Sequence, residues 1–170
     1  MSFTRRHLPH WVPAGAVVFV SWRLAGSVRG AAVGPVWLED PRVARVVADA
    51  LLLGEATGRY RLLAWVVMPN HVHVIFEPRG EMAIIMRWLK GRTARVANRV
   101  LGRTGEKFWQ EESFDHWVRS DEELGGLVDY VENNPVKAGL VERREEWLWS
   151  SAARLTDDKK RSSVLLHDGR

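Results

Sequence analysis

Residues 60–78, Y-R-L-L-A-W-V-V-M-P-N-H-V-H-V-I-F-E-P, decide the fold of this chain. Two runs rich in β-branched and aromatic residues, 60–68 and 71–77, flank a break at Pro69-Asn70. Proline cannot donate to a sheet ladder, so the break separates two strands. A connection this short joins antiparallel neighbours, since a parallel pair needs a long crossover. The segment therefore predicts a tightly linked strand pair.

The flanking sequence supplies the remaining elements. Residues 16–22 predict an earlier strand, and the glycine-rich residues 26–35 predict a loop. Residues 41–55, capped by Asp40, and residues 82–101 show helical apolar spacing. A short strand is expected at 116–118. Ser120 and Glu123 form a capping-box pattern that predicts the start of a third helix. Asn134-Pro135 predicts the end of that helix. The order β-α-β-β-α-β-α predicts an α+β fold with a largely antiparallel sheet.

Composition narrows the function classes. The chain has 170 residues, the size of one domain, and contains 0 Cys, which excludes disulfides and cysteine chemistry and fits a reducing cytoplasm. No apolar run reaches the roughly 18 residues needed to span a bilayer, so no membrane association is expected. The formal charge of +4 favours an anionic partner, and the 9 Trp, which can stack on bases, favour nucleic acid as that partner.

The strongest candidate for a metal site is His71-Val72-His73. Side chains alternate between the two faces of a strand, so both imidazoles point the same way while Val72 and Val74 face a core. Neutral imidazole ligates many divalent metals. The alternative is a pair of ordinary surface or core histidines, which an H-x-H pattern alone does not exclude.

A second candidate lies in the third helix. Tyr130 flanks its apolar stripe, and Asn134 follows one helical turn later on the same side. A tyrosine hydroxyl there can enter a cleft between helix and sheet, and an amide oxygen could complete a metal site with the histidines, favouring Mg²⁺ or Mn²⁺. The alternative is a boundary tyrosine that only packs its ring.

The second helix carries a basic face. No acidic residue occurs from Met82 to Gly105, and Arg92, Arg95, Arg99 and Arg103 are spaced by three or four residues. Such a face can follow a phosphate backbone. The candidate DNA-binding residues are Arg87, Lys90, Arg92, Arg95 and Arg99.

Together these motifs resemble a known family. The matching segments are R-R-H-L-P-H-W (5–11), W-V-V-M-P-N-H-V-H-V-I-F-E-P (65–78), W-L-K-G-R-T-A-R-V-A-N-R (88–99), F-W-Q-E-E-S-F-D-H-W-V-R (108–119), Y-V-E-N-N-P-V-K-A-G-L-V (130–141) and W-L-W-S-S-A (147–152). The chain resembles the REP-associated tyrosine transposases, a branch of the single-tyrosine HUH transposases of small insertion sequences.

The resemblance implies a ferredoxin-like fold with the histidine pair on a central strand. It implies that Tyr130 is the nucleophile, that His71 and His73 bind a divalent metal, and that Asn134 supplies a third ligand. Residues 1–155 would form the catalytic domain and 156–170 a polar tail. The implied activity is metal-dependent cleavage and strand transfer of single-stranded or hairpin DNA at REP-type palindromes, through a 5′-phosphotyrosine. The resemblance favours a monomer over a dimer, in the bacterial cytoplasm with the nucleoid.

Two alternative functions stay open on the sequence. The protein could be a metal nuclease that activates water at the histidine pair, or a domesticated palindrome-binding protein without catalysis. One segment departs from the family, because relatives often carry a G-T-x-Y-like stretch near the first strand, where this chain has Gly-Ala-Val-Val-Phe at 15–19. Recognition of the short guide sequence beside the palindrome is therefore expected to differ.

Overall fold

The computed structural model describes residues 15–28 and 34–154. Its strands are β1 (Val18–Leu24), β2 (Tyr60–Val67), β3 (His71–Pro78) and β4 (Trp109–Trp117). Its α-helices are α1 (Pro41–Ala56), α2 (Met82–Val100), α3 (Asp121–Glu132) and α4 (Asn134–Lys137), and two 3-10 turns lie at Trp37–Glu39 and Arg144–Glu146. The first six strands and α-helices follow the order β-α-β-β-α-β, which is the ferredoxin-like arrangement.

The strands form one antiparallel sheet in the order β2-β3-β1-β4, so β3 lies inside the sheet. The predicted α+β class, the antiparallel sheet with helices packed on it and the central position of the histidine strand are confirmed. The break between β2 and β3 is closed by a hydrogen bond from the Met68 amide to the His71 carbonyl, 2.8 Å long.

The two faces of the sheet have different cores. The face that packs on α1 and α2 has the larger apolar core, which includes Trp22, Val74 and Phe76. The opposite face packs on α3 through a smaller cluster that includes Phe19 and Ile75. Because side chains alternate along a strand, the odd-numbered residues of β3 face α3. This assigns both histidines to the α3 face.

Local signals explain the helix starts. The Asp40 carboxylate accepts from the Arg42 amide at 2.9 Å, and Pro41 occupies the first turn of α1. The Ser120 hydroxyl accepts from the Glu123 amide at 3.1 Å and caps α3, which is one of the two hydrogen bonds of the predicted capping box. The Glu123 side chain in turn accepts from the Arg119 amide at 2.6 Å.

Three predicted boundaries were wrong. The first strand begins at Val18 and ends at Leu24, two residues later than expected. The last strand spans Trp109–Trp117 and not only 116–118, because its polar residues lie at a sheet edge where no alternation is required. Asn134 and Pro135 do not simply end a helix but begin α4, since proline suits a first turn that needs no amide donor. The 5–11 motif, the tail 156–170 and residues 29–33 of the glycine-rich loop lie outside the described residues.

The outer edge of β2 is partly covered by the segment that follows the second 3-10 turn. The Val67 amide donates to the Trp149 carbonyl at 2.8 Å, and Val66 forms an isolated bridge with Ser150. The Trp147 indole donates to the Val67 carbonyl at 3.0 Å. This segment protects a strand edge that would otherwise offer unpaired backbone groups.

Candidate active site

The two histidines lie side by side on the α3 face of β3. Their ring centroids are 4.6 Å apart, and the rings meet edge to face. His73 is 4% exposed, whereas His71 is half-buried at the start of the strand. The prediction that both imidazoles point to the same face of the strand is therefore confirmed.

Two asparagines surround His71. Nδ1 of His71 lies 2.6 Å from Oδ1 of Asn70, and the Asn134 side chain forms a second hydrogen bond with His71. Because a carbonyl oxygen can only accept, the Asn70 contact favours the tautomer with the ring proton on Nδ1, in which Nε2 carries the lone pair. Such a partner fixes the tautomer and orientation of a ligating imidazole.

His71 is neutral at physiological pH. Burial, with a smaller contribution from the positive charge of Arg23, lowers the pKa of His71 to about 4, against the opposing effect of the Asn134 hydrogen bond. Neutral imidazole is the form that binds a metal ion. The site therefore keeps His71 in its ligating state without help from a bound cation.

Tyr130 lies over the histidine strand. Its ring centroid is 5.5 Å from that of His73, and the residue is 39% exposed. The Lys137 ammonium lies 5.2 Å from the centroid of the Tyr130 ring, a cation–π contact from α4. The structure thus brings Tyr130, both histidines and Asn134 to one place.

Phe19 of β1 supports this group and was not singled out from the sequence. Its ring stacks on His73 at 5.5 Å with an interplanar angle of 26° and meets Tyr130 edge to face at 6.2 Å. Phe114 of β4 packs on the other side of Phe19 at 6.1 Å. These aromatic contacts restrict the orientation of both the imidazole and the tyrosine ring.

The end of α3 is anchored by a buried carboxylate two residues after the tyrosine. Glu132 is 4% exposed and accepts from the Ser151 hydroxyl at 2.8 Å. That hydroxyl accepts in turn from the Trp65 amide of β2 at 3.1 Å. Arg144 lies 3.4 Å from the second carboxylate oxygen. A chain of polar contacts therefore connects the tyrosine helix to the sheet.

Comparison with known proteins places this geometry in a family. A family profile described as IS200-like transposase matches residues 45–134, more than half of the chain. The chain belongs to the IS200-like transposase family. The matched range contains both histidines, Tyr130 and Asn134.

Individual relatives agree with the resemblance seen in the sequence. A REP-associated tyrosine transposase of Escherichia coli (strain K12) is 31% identical over 109 residues, which cover 63% of this chain and 63% of that protein. A relative from Haemophilus influenzae is 29% identical over 103 residues, 54% of this chain and 58% of that protein. The matches span less than two thirds of either relative. The predicted resemblance to REP-associated tyrosine transposases is confirmed.

A solved structure shares the fold. It is that of a REP-associated tyrosine transposase bound to a REP hairpin, with a TM-score of 0.66 and 24% sequence identity, covering 91% of this chain and 84% of that one. Among residues 15–28 and 34–154, no helix of this IS200-like transposase is long and apolar enough to cross a membrane.

Three neighbouring side chains of this transposase are the candidates to hold a divalent cation. Within the described ranges no three His, Cys, Asp or Glu residues come together as a metal cluster. The candidate set is the two neighbouring imidazoles and the Asn134 amide that contacts His71, and an amide oxygen is a ligand that Mg²⁺ and Mn²⁺ accept.

The basic residues of α2 lie in a different layer. Arg87, Arg92, Arg95 and Arg99 are exposed, but α2 packs on the sheet face opposite the histidines. Arg103, which the helical spacing grouped with them, lies beyond the helix, with its guanidinium 4.0 Å from the centroid of Trp37. The arginine face and the tyrosine site are thus separated by the sheet.

Lys90 differs from these arginines. Its ammonium donates to the Glu111 carbonyl at 2.8 Å and to the Ser113 hydroxyl at 3.3 Å, both on β4. Burial lowers the pKa of Lys90 to about 8. Lys90 therefore connects α2 to the sheet, and it is a weaker phosphate-binding candidate than its exposed neighbours.

Proposed function

We propose that this transposase-family protein cleaves and rejoins single-stranded or hairpin DNA through a covalent bond between Tyr130 and a DNA 5′-phosphate. One observation supports this above the others: the Tyr130 ring lies 5.5 Å from the ring of His73, whose partner His71 is 4.6 Å further along the same face. This contact brings the only exposed tyrosine of the described residues next to the two proposed metal ligands.

In the proposed reaction the Tyr130 hydroxyl oxygen attacks the scissile phosphorus. The bond from phosphorus to the 3′-oxygen breaks, and the products are a 5′-phosphotyrosine and a free 3′-hydroxyl. Because Tyr130 is 39% exposed, its proton can leave to solvent. Attack by a second 3′-hydroxyl reverses the step and joins strands. The phosphodiester energy is kept in the covalent bond, so no nucleotide triphosphate is needed.

His71, His73 and Asn134 are the residues that would hold the metal. A divalent cation there, Mg²⁺ or Mn²⁺, would withdraw charge from the phosphate and stabilise the transition state. Asn70 orients His71 through its 2.6 Å contact, and Phe19 orients His73 by stacking. These neighbours hold the ligands in place before metal or DNA arrives.

The proposed DNA partner is a REP-type hairpin. The related structure holds such a hairpin, and the net charge of +4 favours a polyanion. Arg87, Arg92, Arg95 and Arg99 are proposed to contact its phosphates, with Lys90 contributing less. We propose that the protein acts as a monomer.

A covalent-capture assay tests the proposal. End-labelled single-stranded hairpins with Mn²⁺ or Mg²⁺ are mixed with the wild type, Tyr130→Phe and, as the control, Tyr60→Phe, which alters the only other tyrosine. We expect a metal-dependent labelled protein band that is absent only in Tyr130→Phe. Cleavage without an adduct, retained in Tyr130→Phe, would support a water-activating nuclease instead. Hairpin binding without cleavage would support a non-catalytic binding protein.

A further inference from the structure

Strand β1 runs beside the histidine strand and adds its own side chains to the site. In the β1–β3 register Ser21 is opposite His73, and Arg23 is opposite His71. Trp22 and Leu24 are buried in the core on the α1 and α2 side, so Arg23 faces the tyrosine side of the sheet. Directly opposed residues of antiparallel strands lie about 5 Å apart at their Cα atoms.

The register places the side chains of Arg23 and His71 on neighbouring strands, on the same face of the sheet. A guanidinium is a group that binds phosphate, and the proposed reaction brings a DNA phosphate to the histidine pair.

We propose that Arg23 is a phosphate-binding residue of the catalytic site, whose guanidinium donates to a non-bridging oxygen of the scissile phosphate opposite the histidine pair. This inference rests on the proposed function. A guanidinium offers a planar pair of donors that fits two phosphate oxygens. Charge on those oxygens is what a phosphoryl-transfer site must stabilise. Arg23 would therefore act on the chemical step, while the exposed arginines of α2 act on DNA binding.

The proposal predicts that the adduct rate falls while Mn²⁺ binding does not weaken. In Arg23→Gln we expect the single-turnover rate of adduct formation to fall about 10- to 100-fold, the effect of one lost hydrogen bond to a charged group. Binding of Mn²⁺ without DNA should be unchanged or tighter, because a repelling charge has been removed. In Arg23→Lys, which keeps the charge but loses the paired donors, the rate should lie between those of Arg23→Gln and the wild type.

The experiment combines single-turnover adduct formation, Mn²⁺ titration followed by the signal of free Mn²⁺, and thermal unfolding. Arg79→Gln is the matched control, because Arg79 is exposed and comes directly after the last residue of β3, whereas His71 is the first residue of that strand. Wild-type adduct rates in a folded Arg23→Gln would overturn the inference and leave the proposed function intact. Slower adduct formation with weaker Mn²⁺ binding would indicate a structural role and would also overturn it. Absence of adduct in the wild type would overturn both.

Discussion

Replacing Glu132 tests how the tyrosine helix is held against the sheet. This carboxylate is buried, accepts from Ser151 at 2.8 Å and lies 3.4 Å from Arg144. Glu132→Ala removes both contacts and leaves space in a packed region. Glu132→Gln keeps an oxygen that accepts from Ser151 but loses the charge that faces Arg144. The two variants therefore separate the hydrogen bond from the ion pair.

The magnitudes follow from the contacts. A hydrogen bond to a charged acceptor contributes about 1.5–3 kcal/mol, so Glu132→Ala, with its added cavity, should lower the free energy of unfolding by about 2–4 kcal/mol. Arg144 is 36% exposed, so solvent screens its ion pair, and Glu132→Gln should cost at most about 1 kcal/mol. For a chain of this size each kcal/mol shifts Tm by about 2–4 °C.

Urea and thermal unfolding measure these differences, and the adduct assay reports their effect on Tyr130. Glu145→Gln is the control, because Glu145 is an exposed partner of the same Arg144 and should change stability little. We expect adduct formation to fall in Glu132→Ala and to persist in Glu132→Gln. Equal stability of Glu132→Ala and the wild type, or equal losses in both Glu132 variants, would refute this account of the anchor.

Two further predictions concern packing and pH. Gly54→Ala should lower the free energy of unfolding by about 1–3 kcal/mol, because a Cβ there would collide with the Tyr60 ring. Gly91→Ala meets open space and should raise the free energy of unfolding by up to about 1 kcal/mol. Urea unfolding of both variants measures this contrast, and equal effects would contradict it. The pKa of Lys90 is about 8 in the folded chain and has its ordinary value of 10.5 in the unfolded chain. The unfolded chain therefore binds more protons between these two pH values, and the free energy of unfolding should rise with pH across this range. That rise should be absent in Lys90→Met, and a rise of equal size there would contradict the assignment.

Much of the site could be predicted because it depends on local periodicity. The common orientation of His71 and His73 follows from the two-residue repeat of a strand. Asn134 was expected to act from one turn beyond Tyr130. It belongs instead to α4, yet its side chain still reaches His71. Short-range spacing therefore predicted the neighbours even where the helix boundary was wrong.

Contacts that depend on pairing between distant strands could not be predicted. Phe19 and Arg23 face the histidines only because β1 pairs with β3 in one particular register. The paired residues are about 50 positions apart in the chain, and a single sequence does not specify that register. The same holds for the arginines of α2. Helical spacing showed that they share a face but not that the sheet separates this face from Tyr130.

The most direct test of the proposed chemistry is to locate the DNA on the protein. Trypsin should release residues 120–137 as one peptide that contains Tyr130 and no other tyrosine. After reaction with a hairpin and Mn²⁺, mass spectrometry of the digested adduct should show this peptide carrying a nucleotide 5′-phosphate on Tyr130. A nucleotide attached to any other residue, or a cleaved hairpin with this peptide unmodified, would contradict the assignment of Tyr130 as the nucleophile.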